Sequence, residues 1–178
     1  NPIPTEDVKR LIANATAMKR PVSIATKNRI AANGKDVDLV DYFSIAKEEV
    51  VVASDFEQLT REEVYQMMLG CIGEERVRLL EGVQNAKLAA WWDRAVDVIH
   101  GDSGKGVGVE QILKYYHLDK SQAMAFGDGN NDIEMLQAVG AGVAMENASP
   151  ELKAVADEIC GHVAEDGVYY YCLEHGLI

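Results

Sequence analysis

Positive charge is scarce in this sequence. Only 17 Lys and Arg stand against 29 Asp and Glu, a formal net charge of −12 over 178 residues. So anionic a surface repels phosphate backbones and anionic lipid head groups. No local basic patch offsets it, so neither nucleic acid nor a membrane surface is expected as a partner. Long apolar runs are missing as well: none approaches the roughly 18–20 residues needed to cross a bilayer. The opening Asn1-Pro2-Ile3-Pro4 has neither the basic start nor the apolar stretch of a secretion signal. Cysteine is limited to Cys71, Cys160 and Cys172, too scattered for a disulfide framework or a zinc site, and a reduced, cytoplasmic setting is expected. Without a secretion signal, Asn147-Ala148-Ser149 reads as a chance glycosylation match. An initiator Met is absent too, and the numbering is expected to start inside a longer chain.

What remains is ordinary globular composition, 48% hydrophobic and 26% charged, enough for one compact domain or two small ones. Thr5-Glu6-Asp7 starts a helix with acids in the first turn, and Val8, Leu11, Ile12 and Ala15 follow at helical spacing until Pro21. Val22–Thr26 alternates as a strand, and Asn33-Gly34 is a turn signal. Val64–Ile72 reads as a strand and Gly73–Leu80 as a short helix. Leu88–Ile99 reads as two strands with a bend near Asp93-Arg94. Residues 1–98 therefore form an α+β unit, with helices on one face of an antiparallel sheet.

The pattern changes after His100. A Gly-rich stretch leads into a helix ending at Tyr116, followed by the apolar strand Ala123–Phe126 and a Gly/Asp/Asn loop. A helix over Ile133–Val139, a strand over Ala141–Met145 and a helix over Pro150–Asp157 complete it. Alternating strand and helix predicts an α/β unit with a parallel sheet over residues 99–178. Only two strands are clear, fewer than a doubly wound sheet normally has.

The chemistry concentrates in Gly127-Asp128-Gly129-Asn130-Asn131-Asp132. An apolar strand delivers Asp128 and Asp132 to the carboxyl end of a parallel sheet, where such folds bind ligands. Glycines flanking Asp128 allow close approach, and two carboxylates within one turn offer the hard oxygens that Mg²⁺ prefers. The competing reading is a solvated turn with a helix cap at Asn131 or Asp132. Lys105, read alone, is a solvated helix-start lysine whose charge opposes the dipole.

Gly127-Asp-Gly-Asn-Asn-Asp-Ile-Glu-Met-Leu136 resembles the fourth motif of haloacid dehalogenase-like (HAD) phosphatases of the Cof-type subgroup. Gly142–Asp157 resembles the segment after that motif, Glu165–Val168 the C-terminal turn, and Gly104-Lys105-Gly106 the third motif. The resemblance implies the C-terminal part of a Rossmann-like core (99–178) preceded by an α+β cap (1–98). It implies an Mg²⁺-dependent phosphatase acting on small phosphorylated metabolites of sugar-phosphate type through an aspartyl-phosphate. By the same resemblance Asp128 ligates Mg²⁺, Lys105 neutralises phosphoryl and nucleophile charge, and Asp132 holds Lys105 and the metal's waters. Asn131 contacts the phosphate, and Gly127 and Gly129 permit close backbone approach.

The pattern departs from the family at its start. No apolar strand ends in Asp-x-Asp-x-Thr, which holds the family's nucleophile. Asp36-Val37-Asp38 lacks the preceding apolar run and the Thr. An N-terminal segment of the same protein is therefore expected to complete the core, and these residues alone to be inactive. A phosphomutase of the same superfamily, or an inactive metal- or ligand-binding domain, are the alternatives. Trp91, Trp92, Asp93 and Arg94, at the bend between two cap strands, are candidates for contacting the leaving group. The competing reading buries one Trp and exposes the other by strand alternation. Tyr169-Tyr170-Tyr171 reads as helix packing.

Overall fold

The computed structural model describes residues 1–178, and the chain divides into two compact units, Asn1–Ser103 and Gly104–Ile178. The first begins with α1 (Thr5–Ala17), whose Val8, Leu11 and Ala15 are buried. Asp7 is buried as well, accepting hydrogen bonds from the Gln84 and Asn85 N–H groups at 3.1 and 2.8 Å. A first-turn acid thus serves both the helix dipole and a distant loop.

The next elements are β1 (Ser23–Thr26), β2 (Ile30–Ala32), α2 (Val37–Ile45), α3 (Phe56–Leu59) and β3 (Val64–Gly70). The unit closes with α4 (Glu75–Leu79), β4 (Ala86–Ala89) and β5 (Ala95–His100). The strands form one antiparallel sheet in the order β2-β1-β3-β5-β4. Alternation along β3 and β5 sends Met67, Leu69, Val96 and Val98 to the face covered by α1 and α4. It sends Met68 and Ala95 to the face where Leu39 and Tyr42 of α2 pack. Both faces carry helices, which corrects the expectation of helices on one face only.

That helix escaped sequence reading because Asn33-Gly34 looked like the hairpin turn. The chain instead reverses between β1 and β2, where the Thr26 N–H donates to the Arg29 carbonyl at 3.0 Å. Asn33 lies beyond β2, its side chain accepting from the Val22 N–H at 2.8 Å. Asp36 caps α2 by accepting from the Leu39 N–H at 2.8 Å. Asp38 pairs with Arg20 at 2.7 Å and Arg94 at 2.6 Å. Both carboxylates of Asp36-Val37-Asp38 are therefore committed to structure.

The second unit contains α5 (Lys105–Tyr116), β6 (Met124–Gly127), α6 (Ile133–Gln137), β7 (Ala141–Ala144), α7 (Pro150–Lys153), β8 (Glu158–Ile159) and α8 (Gly167–Glu174). Its sheet is parallel, ordered β6-β7-β8, with β6 at an edge. The third strand, β8, is a short exposed pair of residues without the apolar run that marks β6. α7 ends sooner than predicted because Asp157 turns back to β7, its carboxylate accepting from the Gly142 N–H at 2.8 Å. Of the three tyrosines only Tyr171 is buried, edge-on to Phe126 at 5.4 Å between ring centroids, while Tyr169 and Tyr170 are exposed. No helix in the chain is long and apolar enough to cross a membrane.

Candidate functional site

β6 ends in buried Gly127 and hands the chain to Asp128, which is exposed. A 3₁₀ turn over Asn130–Asp132 then leads into α6. Asp132 is 4% exposed, and both of its carboxylate oxygens are engaged. Oδ2 accepts from the N–H groups of Asp128 and Gly129 at 3.1 and 3.3 Å, and Oδ1 accepts from Lys105 Nζ. A buried carboxylate is tolerated because every lone pair it turns inward meets a donor. Gly127 makes this possible, since a Cβ there would lie 2.7 Å from the Asp132 Cβ.

Lys105 is the first residue of α5, after Gly104, whose φ of 150° favours glycine. Its partner Asp132 offsets the repulsion between an ammonium and a helix N-terminus. Half of the lysine side chain stays exposed, so the ammonium is anchored yet accessible. Gly106 explains the second glycine of Gly-Lys-Gly: a Cβ there would lie 2.6 Å from the Glu134 carbonyl oxygen on α6. The close helix contact is what sets Lys105 above the loop that carries Asp132.

Asn131 is half-buried, and its side chain makes no hydrogen bond. Sequence reasoning missed the β7–α7 loop. The Ser149 N–H donates to the Asp128 carbonyl at 3.2 Å, and the Ser149 hydroxyl pairs with the Asn130 side chain. Asn147 Nδ2 donates to Asp128 Oδ2 at 3.4 Å, while Asn147 Oδ1 accepts from the Val163 N–H at 3.1 Å. The sequence signals were the resemblance of Gly142–Asp157 to the family's segment, which assigned these side chains no role, and Asn147-Ala148-Ser149, read as a chance sequon.

No three His, Cys, Asp or Glu side chains cluster as a ready-made metal cage. Asp128 nonetheless suits a hard cation: it is an exposed carboxylate with no cationic partner, beside the anchored Lys105–Asp132 pair. Mg²⁺ commonly keeps several waters and takes only one or two carboxylates from the protein. Asp132, with both oxygens taken, is placed to hold Lys105 and the loop's N–H groups.

The first unit places Trp91, Trp92, Asp93 and Arg94 together in the bend between β4 and β5. Trp91 is exposed and Trp92 half-buried against the α2 cluster, but neither lies in a strand, so alternation is not what sorts them; both pack on Tyr42, at centroid distances of 5.3 and 6.1 Å. Trp91 Nε1 donates to the Tyr42 hydroxyl at 3.1 Å, and that hydroxyl donates to buried Asp97 at 2.6 Å. Burial, followed by the Asp97 carboxylate, pushes the Tyr42 hydroxyl pKa well up, and burial also raises that of Asp97. Arg94 lies 4.9 Å from the Trp92 ring centroid and bonds Asp38 and Asp41. Asp93 is exposed, with a side chain free of hydrogen bonds.

The chain is 31% identical over 179 residues to a Bacillus subtilis protein named as a phosphatase, YkrA, covering 100% of this chain and 69% of that protein. It is 29% identical over 148 residues to the 5-amino-6-(5-phospho-D-ribitylamino)uracil phosphatase YitU of the same bacterium, covering 79% of this chain and 54% of YitU. A solved subclass IIB sugar phosphatase of the HAD superfamily superposes with a TM-score of 0.89 at 27% identity, covering 100% of this chain and 69% of that one. The family model for haloacid dehalogenase-like hydrolases matches residues 1–172. With its strand-end Asp128, its Lys105–Asp132 pair and this match over nearly the whole length, the chain belongs to the haloacid dehalogenase-like hydrolase family.

Proposed function

We propose that the protein is an Mg²⁺-dependent phosphatase of small phosphorylated metabolites, of the sugar-phosphate type. The observation that carries this reading is the buried Asp132 fixing Lys105 beside the exposed Asp128 at the carboxyl end of β6. The relatives named as phosphatases, and the sugar phosphatase among solved structures, support it.

Phosphoryl transfer needs charge neutralisation and positioning more than covalent work by the protein. Asp128 would hold the metal, and the bound metal would neutralise charge on the transferring phosphoryl group. Lys105, its ammonium fixed by Asp132, faces phosphoryl oxygens and the nucleophile. Asn131, with an uncommitted amide, donates to the phosphate. Gly129 keeps the approach to the backbone clear, whereas Gly127, buried at the end of β6, makes room for Asp132 instead.

In this reading the first unit is the specificity cap, with Trp91, Trp92, Asp93 and Arg94 as its leading candidates, and the second the C-terminal part of the core; the division expected after residue 98 moves to Ser103/Gly104, because Ile99 and His100 still pair in β5 with β3 and β4. The nucleophilic Asp, which carries the phosphoryl group as an aspartyl-phosphate, comes from a segment N-terminal to these residues. Two observations support that placement. β6 has an open edge able to accept another strand, and relatives matched over the whole of this chain extend well beyond it.

The test is phosphate release by the full-length natural protein from a panel of sugar phosphates and other phosphomonoesters. Release in Mg²⁺, lost on chelation and reduced at least about 100-fold by Asp128→Asn, is expected. Transfer of phosphate between sugar positions without net release would make the protein a mutase. Metal binding with no turnover would make it a binding domain.

A further inference from the structure

We propose that Asn147 is the positioning residue of Asp128, presetting the carboxylate for its cation; this rests on the reading of Asp128 as the Mg²⁺ ligand. Asp128 is exposed, and the one hydrogen bond to its carboxylate comes from Asn147 Nδ2, at 3.4 Å. An exposed carboxylate with a single tether is restrained by that tether or by nothing.

The amide's orientation is fixed by its other end. The Val163 N–H, in the segment after β8, donates to Asn147 Oδ1 at 3.1 Å. With oxygen turned to Val163, the NH₂ group must face Asp128. The backbone repeats the link: the Ser149 N–H donates to the Asp128 carbonyl at 3.2 Å, and buried Ala148 seats the loop between them. One side chain therefore joins the carboxyl ends of β6, β7 and β8 at the atom proposed to meet the metal.

Partners that orient a metal ligand from behind contribute to metal affinity without touching the metal. Asn147 is itself exposed, so its loss costs the fold little and the effect on binding can be separated from an effect on folding.

The experiment is Mg²⁺ titration of the full-length protein by calorimetry, with thermal melting in and out of Mg²⁺. Asn147→Ala is expected to weaken Mg²⁺ binding about threefold to tenfold, at the low end for such partners, because this bond is long and exposed. Asn147→Asp keeps the acceptor for the Val163 N–H but turns a carboxylate oxygen towards Asp128. That variant is expected to melt lower without Mg²⁺ and to gain more from Mg²⁺ than the native protein does. If Asn147→Ala binds Mg²⁺ within twofold of the native protein while Asp128→Asn does not bind, the positioning role is overturned and the metal reading stands. If Asp128→Asn binds normally, both fall. An Asn147→Asp variant that melts and binds Mg²⁺ as the native protein does overturns the positioning role too, since the side chain at 147 would then be indifferent to the charge of Asp128.

Discussion

Removing either partner of the Lys105–Asp132 pair tests whether this contact organises the loop or merely decorates it. Asp132 has 5% of its side chain exposed and Lys105 50%. A fully buried pair broken on one side costs about 3–5 kcal/mol, but the half-exposed ammonium is partly screened by water. The coupling in a double-mutant cycle of Lys105→Met, Asp132→Asn and the double variant should therefore be about 1.5–3 kcal/mol, the range for a hydrogen bond between charged groups. Asp132→Asn alone should cost more than Lys105→Met alone. It also weakens acceptance from the Asp128 and Gly129 N–H groups and turns an amide donor towards the Lys105 ammonium. Both tryptophans lie in the first unit, so their fluorescence would miss the event. Amide hydrogen exchange at Asp128 and Gly129 reads it directly, with urea unfolding followed by circular dichroism. A coupling below about 0.5 kcal/mol, the level of an ordinary surface ion pair, would refute the reasoning.

Gly106→Ala should destabilise the second unit by about 1–3 kcal/mol, because its Cβ would meet the Glu134 backbone at 2.6 Å. Gly108→Ala in the same helix meets nothing within 4 Å and should stabilise by about 0.5–1 kcal/mol; thermal melting of the two variants compares them, and equal effects would count against the close approach of α5 to α6. Asp97 supplies a pH signature. Burial raises its folded pKa, so its favourable contribution is complete below the unfolded value of about 4 and is lost as pH climbs through the folded value. The stability of Asp97→Asn relative to the native protein should therefore rise with pH from about 4 upward, as followed by Trp91 and Trp92 fluorescence in urea; a relative stability that falls with pH would mean the carboxylate is favoured in its charged form.

The sequence by itself marked the candidate site. Its Gly/Asp/Asn run after an apolar strand marked the site, because strand ends in parallel sheets and glycine-flanked carboxylates carry local signatures that survive without coordinates. Helix starts such as Thr5-Glu6-Asp7 were legible for the same reason, since capping and dipole preferences act within one turn. Tertiary structure decided whatever depended on partners distant in sequence. α2 covers a sheet face that no local pattern named. Trp91 and Trp92 both turn to Tyr42 because Asp97 and the α2 helix meet them there. Asp132 proved to be buried with both oxygens engaged, a fact set by Lys105 27 positions away, and Asn147 emerged as a contact of Asp128 19 positions away. Periodicity and capping are written in neighbouring residues, whereas the satisfaction of a buried or orphaned polar group is settled only by what the fold brings to it.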